Sequence, residues 1–579
     1  MKGKTVIRRR PCAAIPEGYP ADLHPVLARV YAARNVTSAD QLHHGLALLP
    51  SHIQLKGIDA AVALLVNALE QRQHILVVGD FDADGATSTA LAARALRAMG
   101  AAHVDFLVPN RFEYGYGLTP EIVAVAAQQK PDLIVTVDNG ISSIQGVEAA
   151  HALGIKVLVT DHHLPAALLP PAEAIVNPNQ PGDSYPSKNL AGVGVIFYVM
   201  LALRAALRER GWFTTERPEP NLAQLLDLVA LGTVADVVVL DHTNRILVAQ
   251  GLARIRSGQA CAGIRALLEI AGRQPLRIVS ADLGFAVGPR LNAAGRLADM
   301  TLGIRCLLSD DEDEARELAQ QLDQINRERR ATEDDMHNDA LMRLQTLFEA
   351  DVPQALPFGL CLYDPAWHQG VIGILASRIK ERLHRPVIIF TDSGEEEIKG
   401  SARSVSGVHI RDVLDAIAKR YPGLLSKFGG HAMAAGMTLR RSDFEHFHDA
   451  FDAEVRRHLS AEDLRGVVLS DGELLAEEID LTLAEMLRQA VPWGQGFPEP
   501  LFDGEFEVAQ QRVVGERHLK LKLRWPGSRR LIDAIAFHAD LDNWPEQVQR
   551  VQTAYRLDVN EFRGERSVQL IVEHLRPIF

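Results

Sequence analysis

Between residues 74 and 178, short apolar runs alternate with longer segments of helical periodicity. The runs are HILVVGD (74–80), HVDFLVP (103–109), DLIVTVD (132–138), IKVLVTD (155–161) and AIVNP (174–178). Their Val, Ile and Leu are nearly continuous, as in strands buried on both faces. The intervening ATSTALAARALRAMG, TPEIVAVAAQQ and ISSIQGVEAAHALG suit helices. Strand and helix in alternation predict an α/β fold with a parallel sheet. Residues 190–300 read mostly helical. Residues 306–350 contain no Gly or Pro, and Leu318, Leu322 and Ile325, then Ala340, Leu341, Leu344, Leu347 and Phe348, recur at helical spacing. That pattern predicts one long, exposed, charged connecting helix. A second α/β region follows, and after the break PWGQGFPEP (492–500) the chain turns to short strands: FEVAQQRVV, HLKLKLRW, LIDAIAFH, YRLDVNEF and SVQLIVEHL. Five such strands predict a small β-barrel. The expected division is an N-terminal segment (1–44), a first α/β domain (45–305), a connecting helix (306–350), a second α/β domain (351–458) and a barrel domain (459–579).

Composition changes this picture little. The 579 residues suit three or four domains at about 150 residues each, and 47% apolar with 23% charged residues is ordinary for a globular protein. Cys12, Cys261, Cys306 and Cys361 are far apart in sequence, against a zinc ribbon or a disulfide framework. The basic N-terminus lacks the apolar segment of a signal peptide. No uninterrupted apolar stretch reaches the roughly 18 residues of a membrane span. A cytoplasmic location without membrane attachment is expected. The net charge of −13 speaks against a simple nucleic-acid binder. Clustered carboxylates that hold cations would nevertheless attract phosphate.

Such a cluster is present. Asp80, Asp82 and Asp84 stand in GDFDADG. In extended geometry, residues two apart point the same way, and Gly85 would let the chain turn into the next helix. Asp138 ends DLIVTVD; Asp161 ends IKVLVTD and is followed by His162 and His163. All lie at carboxyl ends of the expected parallel strands, where open α/β sheets bind ligands. An Asp after a strand is often only a cap or a turn residue. Three strand ends that deliver carboxylate and imidazole to one rim point instead to a metal site, with an oxygen–nitrogen donor set that suits Mn2+, Mg2+ being the competitor.

GDFDADG, VDNG and DHH, in this order, resemble the first three motifs of the DHH phosphoesterases, and GTVADVVVLDHTNR (232–245) resembles the fourth, with Asp236 as its ligand. LNAAGR (291–296), WHQGVIGILASR (367–378) and GGHAMAAG (429–436) are similar to later motifs of the family and to its accessory DHHA1 domain. The first motif has Phe where many relatives have Tyr. The resemblance implies that Asp82, with Asp80 alongside, holds one metal ion. Asp84, His162 and Asp236 would hold a second, and Asp138 would bridge both. His163 would contact the scissile phosphate, so that Asp84, Asp138 and His163 form the catalytic set. Two ions of this kind make hydroxide near neutral pH and clamp phosphate oxygens during in-line displacement.

The flanking motifs bear on the substrate. Gly-rich loops bring backbone N–H groups close to anions, and Arg grips phosphate through two N–H groups. Arg290, Asn292, Arg296, Ser377, Arg378, Gly430 and His431 are candidates for phosphate binding, although any one glycine here could equally be a turn residue. In NRFEYGYGL, Arg111 and Tyr114 resemble a family segment at the cleft, where aromatic stacking favours a single strand. In HLKLKLRW, Lys520, Lys522 and Arg524 alternate with leucines, which predicts either a cationic face for nucleic acid or an edge strand guarded by lysines. The resemblance, which includes an OB-fold here, favours DNA. It implies an exonuclease that degrades single-stranded DNA from the 5′ end to nucleoside 5′-monophosphates, working with single-strand-binding protein and a helicase in recombination and repair. The alternatives are a small-substrate DHH phosphodiesterase, of the nanoRNase or cyclic-dinucleotide type, and a non-catalytic replisome scaffold.

Overall fold

In the computed structural model the chain is described except at residues 1–4, 12–13, 110–116, 350–355, 516, 540, 542–543, 546, 563 and 579. Arg111, Tyr114 and the side chains of Leu347 and Phe348 lie outside the described residues. Two compact units are formed: residues 10–326 with 471–579, and residues 1–9 with 327–470.

The first unit contains the expected parallel sheet, in the order His103–Leu107, His74–Gly79, Leu133–Val137, Lys156–Thr160, Ala174–Val176. Its three central strands are largely apolar because each feeds two cores. Ile75 and Val77 join one cluster with Leu133, Val135 and Val137, while Leu76, Val78 and Ile134 join another. The helix Ala83–Ala98 covers the first face; Pro120–Ala127 and Ile144–Ala152 cover the second. The chain reverses its winding between His74–Gly79 and Leu133–Val137, the switch point at which such sheets bind ligands. The helical region is also as expected, with Gly192–Glu209, Leu226–Ala235, His242–Arg256 and Ala262–Ile270 contributing to the first core. A π-helical turn, Leu283–Val287, precedes Gly288–Leu297. Arg34, in the N-terminal segment, is buried against Asp471 through two hydrogen bonds of 2.8 and 2.9 Å, so that segment is built into the first unit.

The long helix runs from Glu312 to Glu349. It starts later than the sequence pattern suggests, because Cys306 belongs to the separate helix Thr301–Leu308. Asp311 Oδ1 accepts the amides of Asp313 and Glu314 at 2.8 and 2.9 Å and so caps a new helix. Nor is it simply exposed. Ala315, Leu318, Ala319 and Leu322 enter the core of the first unit, and Met336, Ala340 and Leu344 a core of the second.

The second unit carries a mixed sheet, in the order Lys427–Gly430, Ala434–Arg440, Glu397–Arg403, Val387–Asp392, Leu360–Tyr363. Only the last two strands pair in parallel. Thr5–Arg9 pairs with Gly466–Ser470 in the same unit.

The barrel belongs to the first unit and closes in the order Phe502–Val514, His518–Arg524, Leu531–Ala536, Glu565–Ile578, Arg550–Phe562. Leu519, Leu521 and Leu523 point inward and are buried; Lys520, Lys522 and Arg524 lie half-buried on the outside. The strand His518–Arg524 is hydrogen-bonded on both sides, so it is not an edge strand. Among the described residues, no single helix is long and apolar enough to cross a membrane.

Candidate metal centre

The three aspartates of the first motif converge for a different reason from the one their spacing suggests. Asp80 follows the strand, but Asp82 is the N-cap of Ala83–Ala98, and Asp84 sits in that helix's first turn. Asp82 Oδ1 accepts the amides of Asp84 and Gly85, both at 3.0 Å. The carboxylates meet because the chain turns a corner, at a helix N-terminus whose dipole favours negative charge. Gly85 is not the turn residue; it lies inside the helix. A Cβ there would overlap the Asp80 carbonyl oxygen, so its role is close approach.

Other elements supply the remaining groups. Asp84 Oδ2 accepts the Gly192 amide at 2.6 Å and Oδ1 the Val193 amide at 3.0 Å, at the start of Gly192–Glu209. Asp138 has a φ of +62°, a left-handed conformation that a non-glycine residue adopts at a cost. His162 Nε2 lies 3.1 Å from Asp138 Oδ1 and 3.5 Å from Asp236 Oδ2; Asp236 is the C-cap of Leu226–Ala235. His163 Nδ1 lies 2.7 Å from Asp161 Oδ1. Glycines press on the same groups: a Cβ on Gly192 would come within 2.6 Å of Asp138 Cβ, one on Gly232 within 2.7 Å of Asp84 Oδ1, and one on Gly295 would overlap the Phe81 carbonyl.

Three sets of donors result: Asp80, Asp82 and Asp138; Asp84, His162 and Asp236; Asp138, His162 and His163. Within each set the ligand atoms lie within 4.8 Å of one another. Asp138 belongs to both the first and the third. Burial and the charge of Asp82 push Asp80 well above the usual carboxylate range and Asp84 up to about 7. Burial and the charge of Asp84 do the same to Asp138 and Asp236. Carboxylates this crowded ionise together only when cations compensate them, and an oxygen-rich set with one or two imidazoles fits Mn2+ or Mg2+. At the neighbouring pair, burial opposes ionisation of both partners, but their mutual hydrogen bond outweighs it. Asp161 is lowered and His163 raised to about 9.

The other expected groups divide. Asn292 Oδ1 accepts the Ala83 amide at 2.8 Å, so it braces the first motif. Arg296 lies half-buried in the last turn of Gly288–Leu297. Arg290 departs from the expected phosphate contact. It is buried, with Nε and Nη2 2.9 and 2.8 Å from Asp323 Oδ1 and Nη1 2.5 Å from the Ala286 carbonyl. In the second unit, Ser377 Oγ donates to the Gly373 carbonyl at 3.3 Å, and Arg378 pairs with Glu333 and Asp334. Gly430 has a φ of +145°, and the His431 amide donates to the Ala434 carbonyl at 2.8 Å. The sequence reading missed Asp161 as the group that orients the histidines. It also missed Ser401 and Arg403, which a Cβ on Gly373 would meet at 3.0 and 2.9 Å. Arg403 donates to Ser401 Oγ and the Ala402 carbonyl, and meets no carboxylate among the described residues. Nothing in the spacing of SARS marks it.

An acidic–imidazole rim at the switch point of a parallel sheet, in a chain that also carries a separate mixed-sheet unit, is the arrangement of the DHH phosphoesterases. The corresponding family models match: the DHH family N-terminal domain over residues 74–233, the DHHA1 domain over 357–457 and the RecJ OB domain over 470–574. The single-stranded-DNA-specific exonuclease RecJ of Dickeya dadantii is 56% identical over 578 residues, 99% of each chain. The crystal structure of Thermus thermophilus RecJ with Mn2+ matches with a TM-score of 0.80 and 31% identity over all of this chain and 80% of that one. The Mg2+ complex of the same protein matches with a TM-score of 0.75 and 30% identity, over 100% and 79% of the two chains. The chain belongs to the RecJ family.

Proposed function

We infer that this chain is a metal-dependent exonuclease specific for single-stranded DNA, acting 5′→3′ and releasing nucleoside 5′-monophosphates. The observation that carries the reading is the position of Asp138, which shares a donor set with Asp80 and Asp82 while its Oδ1 lies 3.1 Å from Nε2 of His162, a member of the set with Asp84 and Asp236. That sharing supports Asp80 and Asp82 for one ion, Asp84, His162 and Asp236 for another, and Asp138 for both. Two divalent cations bound there lower the pKa of a water and offset charge on the phosphate. The side chains do the rest. Asp161 takes the amides of His162 and His163 at 2.7 and 3.1 Å and fixes the His163 ring through Nδ1 at 2.7 Å. His163, cationic at neutral pH, suits a phosphate oxygen better than a metal ion.

Polarity would come from phosphate-binding groups of the second unit. Arg403, Ser401 and the first turn of Ile372–Leu383 at Gly373 form a cationic cradle suited to a terminal phosphate. The outer face of the barrel, with Lys520, Lys522 and Arg524, suits the strand that follows. Action with single-strand-binding protein and a helicase, inside the cell, fits this reading.

The test uses long single strands labelled at one end or the other, with Mn2+ restored after chelation. Mononucleotides released first from the 5′ end support the inference. Cleavage confined to dinucleotides sinks it.

A further inference from the structure

Residues 280–297 form one helical run, in which the π-helical turn Leu283–Val287 leads into Gly288–Leu297. Between Phe285 and Arg296, only Phe285, Pro289, Asn292 and Arg296 escape burial. Their spacing of four, three and four residues puts them on one face of the helix. That face is tied to the metal rim at its far end, because Asn292 accepts the Ala83 amide of the first motif. Phe285 stands seven residues before Asn292, roughly 10 Å along the axis at about 1.5 Å per residue.

Phe285 is 80% exposed, although an aromatic ring gains much by burial. It forms one wall of an apolar cavity of about 350 Å³ in the first unit, with Val237, Val238, Val279, Trp493 and Pro498 among the others. Val237 follows Asp236 directly, is 63% exposed and has a φ of +61°. In a β-branched residue that conformation is strained, and strain of this kind gathers at binding sites. So do π-helical turns. The polar groups around the cavity are already engaged or stand at its rim. Ser280 Oγ donates to the Trp493 carbonyl at 2.5 Å, and Glu499 is paired with Arg556 at 2.8 Å. Arg488, 3.9 Å from Asp558 and 36% exposed, is loosely held and can meet a backbone phosphate.

The cavity thus offers an exposed ring and an aliphatic wall. Any nucleobase suits such a slot, because every base has a π-face. An apolar peptide side chain would fit as well, but the cavity opens on the helix face that leads to the metal rim, which favours the strand. We propose that Phe285 stacks on one nucleobase of the single strand, on the 3′ side of the bond that is cut, with Val237 and Val238 against the base. Roughly 10 Å is about three steps of a stacked strand at about 3.4 Å each, which places the contact at the third to fifth nucleotide. The proposal rests on the nuclease reading, since it is the substrate that leads over this face. A paired base, already stacked within a duplex, does not reach the ring, so the contact also favours a single strand.

The test measures strand affinity in chelator, without cleavage, for the full chain and for Phe285→Ala. The probes are 5′-phosphorylated single strands with one abasic site moved a nucleotide at a time from the 5′ end. In the native chain an abasic site at one position in the stated window should weaken binding about tenfold, as expected for one base on one ring. Phe285→Ala should weaken binding of the intact strand by a similar factor and cancel the cost of that abasic site alone. Phe285→Trp should restore both the affinity and the position dependence. An adenine analogue that dims on stacking, placed at that position, should be brighter with Phe285→Ala than with the native chain. If the strand binds but no abasic position couples to Phe285→Ala, the proposal is overturned and the nuclease reading stands. If the strand neither binds nor is shortened once Mn2+ is restored, the nuclease reading falls and takes the proposal with it.

Discussion

His163 Nδ1 lies 2.7 Å from Asp161 Oδ1, and the other oxygen of that buried carboxylate accepts the Ile141 amide at 2.9 Å. One side chain thus ties the two histidines to the loop after the neighbouring strand and keeps a positive charge on the second. In Asp161→Asn the shape survives but the charge does not. Turnover is expected to fall about 10–100-fold, the usual effect of losing a group that orients a site residue. The His163 titration, followed by NMR in metal-free protein, should drop from about 9 toward its ordinary 6.5. The sign follows from a folded pKa above the unfolded one. The His163 contribution to stability is complete below about 6.5 and lost as pH rises through about 9. An unchanged titration would remove Asp161 from this role.

Protons and metal compete at the rim. Asp80, Asp138 and Asp236 are held well above the usual range, and Asp84 at about 7, so the metal-free centre retains protons near neutrality. Mn2+ affinity should rise from about pH 6 to 8, with protons released on binding, as calorimetry in buffers of different ionisation enthalpy would read. These carboxyls have raised folded pKa values, so their stabilising protons leave as pH rises through them. Chelated protein should therefore melt progressively lower than metal-loaded protein over that range. A pH-independent affinity would contradict the crowding.

Asp138→Ala removes the carboxylate shared by two donor sets. Cleavage should drop on the order of 10³-fold or more, while single-strand affinity measured in chelator stays within a few-fold. Undiminished cleavage would exclude the shared-ligand reading.

Arg290 and Asp323 form a buried pair, and breaking one usually costs about 3–5 kcal/mol. Arg290→Ala should lose stability of that order in urea unfolding. Arg290→Met combined with Asp323→Leu should recover most of it, and KM for DNA should hardly move in the double variant. A large rise in KM at unchanged stability would restore Arg290 to the phosphate contacts.

On the barrel, Lys522 lies 3.3 Å from Asp533 and Arg524 3.6 Å from Glu507, whereas among the described residues no such pair engages Lys520. Lys520→Gln should therefore weaken single-strand binding most of the three. The triple replacement should lower the salt slope by about 2, at roughly 0.7 per phosphate contact. An unchanged slope would mean that DNA does not use this face.

The sheet was legible because a strand buried on both faces has no polar positions to confuse its period. The rim was legible because Asp138, Asp161 and His162 end such strands. Asp82 and Asp84 were harder to place. A D-x-D-x-D run reads the same in a strand as around a helix cap, and only the Asp82 bonds to the Asp84 and Gly85 amides decide it. The fate of Arg290 depended on Asp323, 33 residues away, and a charged residue's partner is not written beside it. Arg403 shows the reverse case: it drew no notice in the sequence because what distinguishes it is that, among the described residues, it bonds Ser401 Oγ and a carbonyl and no carboxylate.

Gly85, Gly192, Gly232 and Gly295 hold no proton, metal or phosphate, yet a single methyl at each would strike the Asp80 carbonyl, Asp138, Asp84 or the Phe81 carbonyl. A screen for inactive variants of this chain would flag these four alongside the aspartates, and chemistry alone would not separate the two kinds. Bulk would. At the glycines alanine should be as damaging as a charged side chain, whereas at the aspartates the outcome should follow the donor atom and not the volume. The pocket for the cations is cast by what the backbone leaves out.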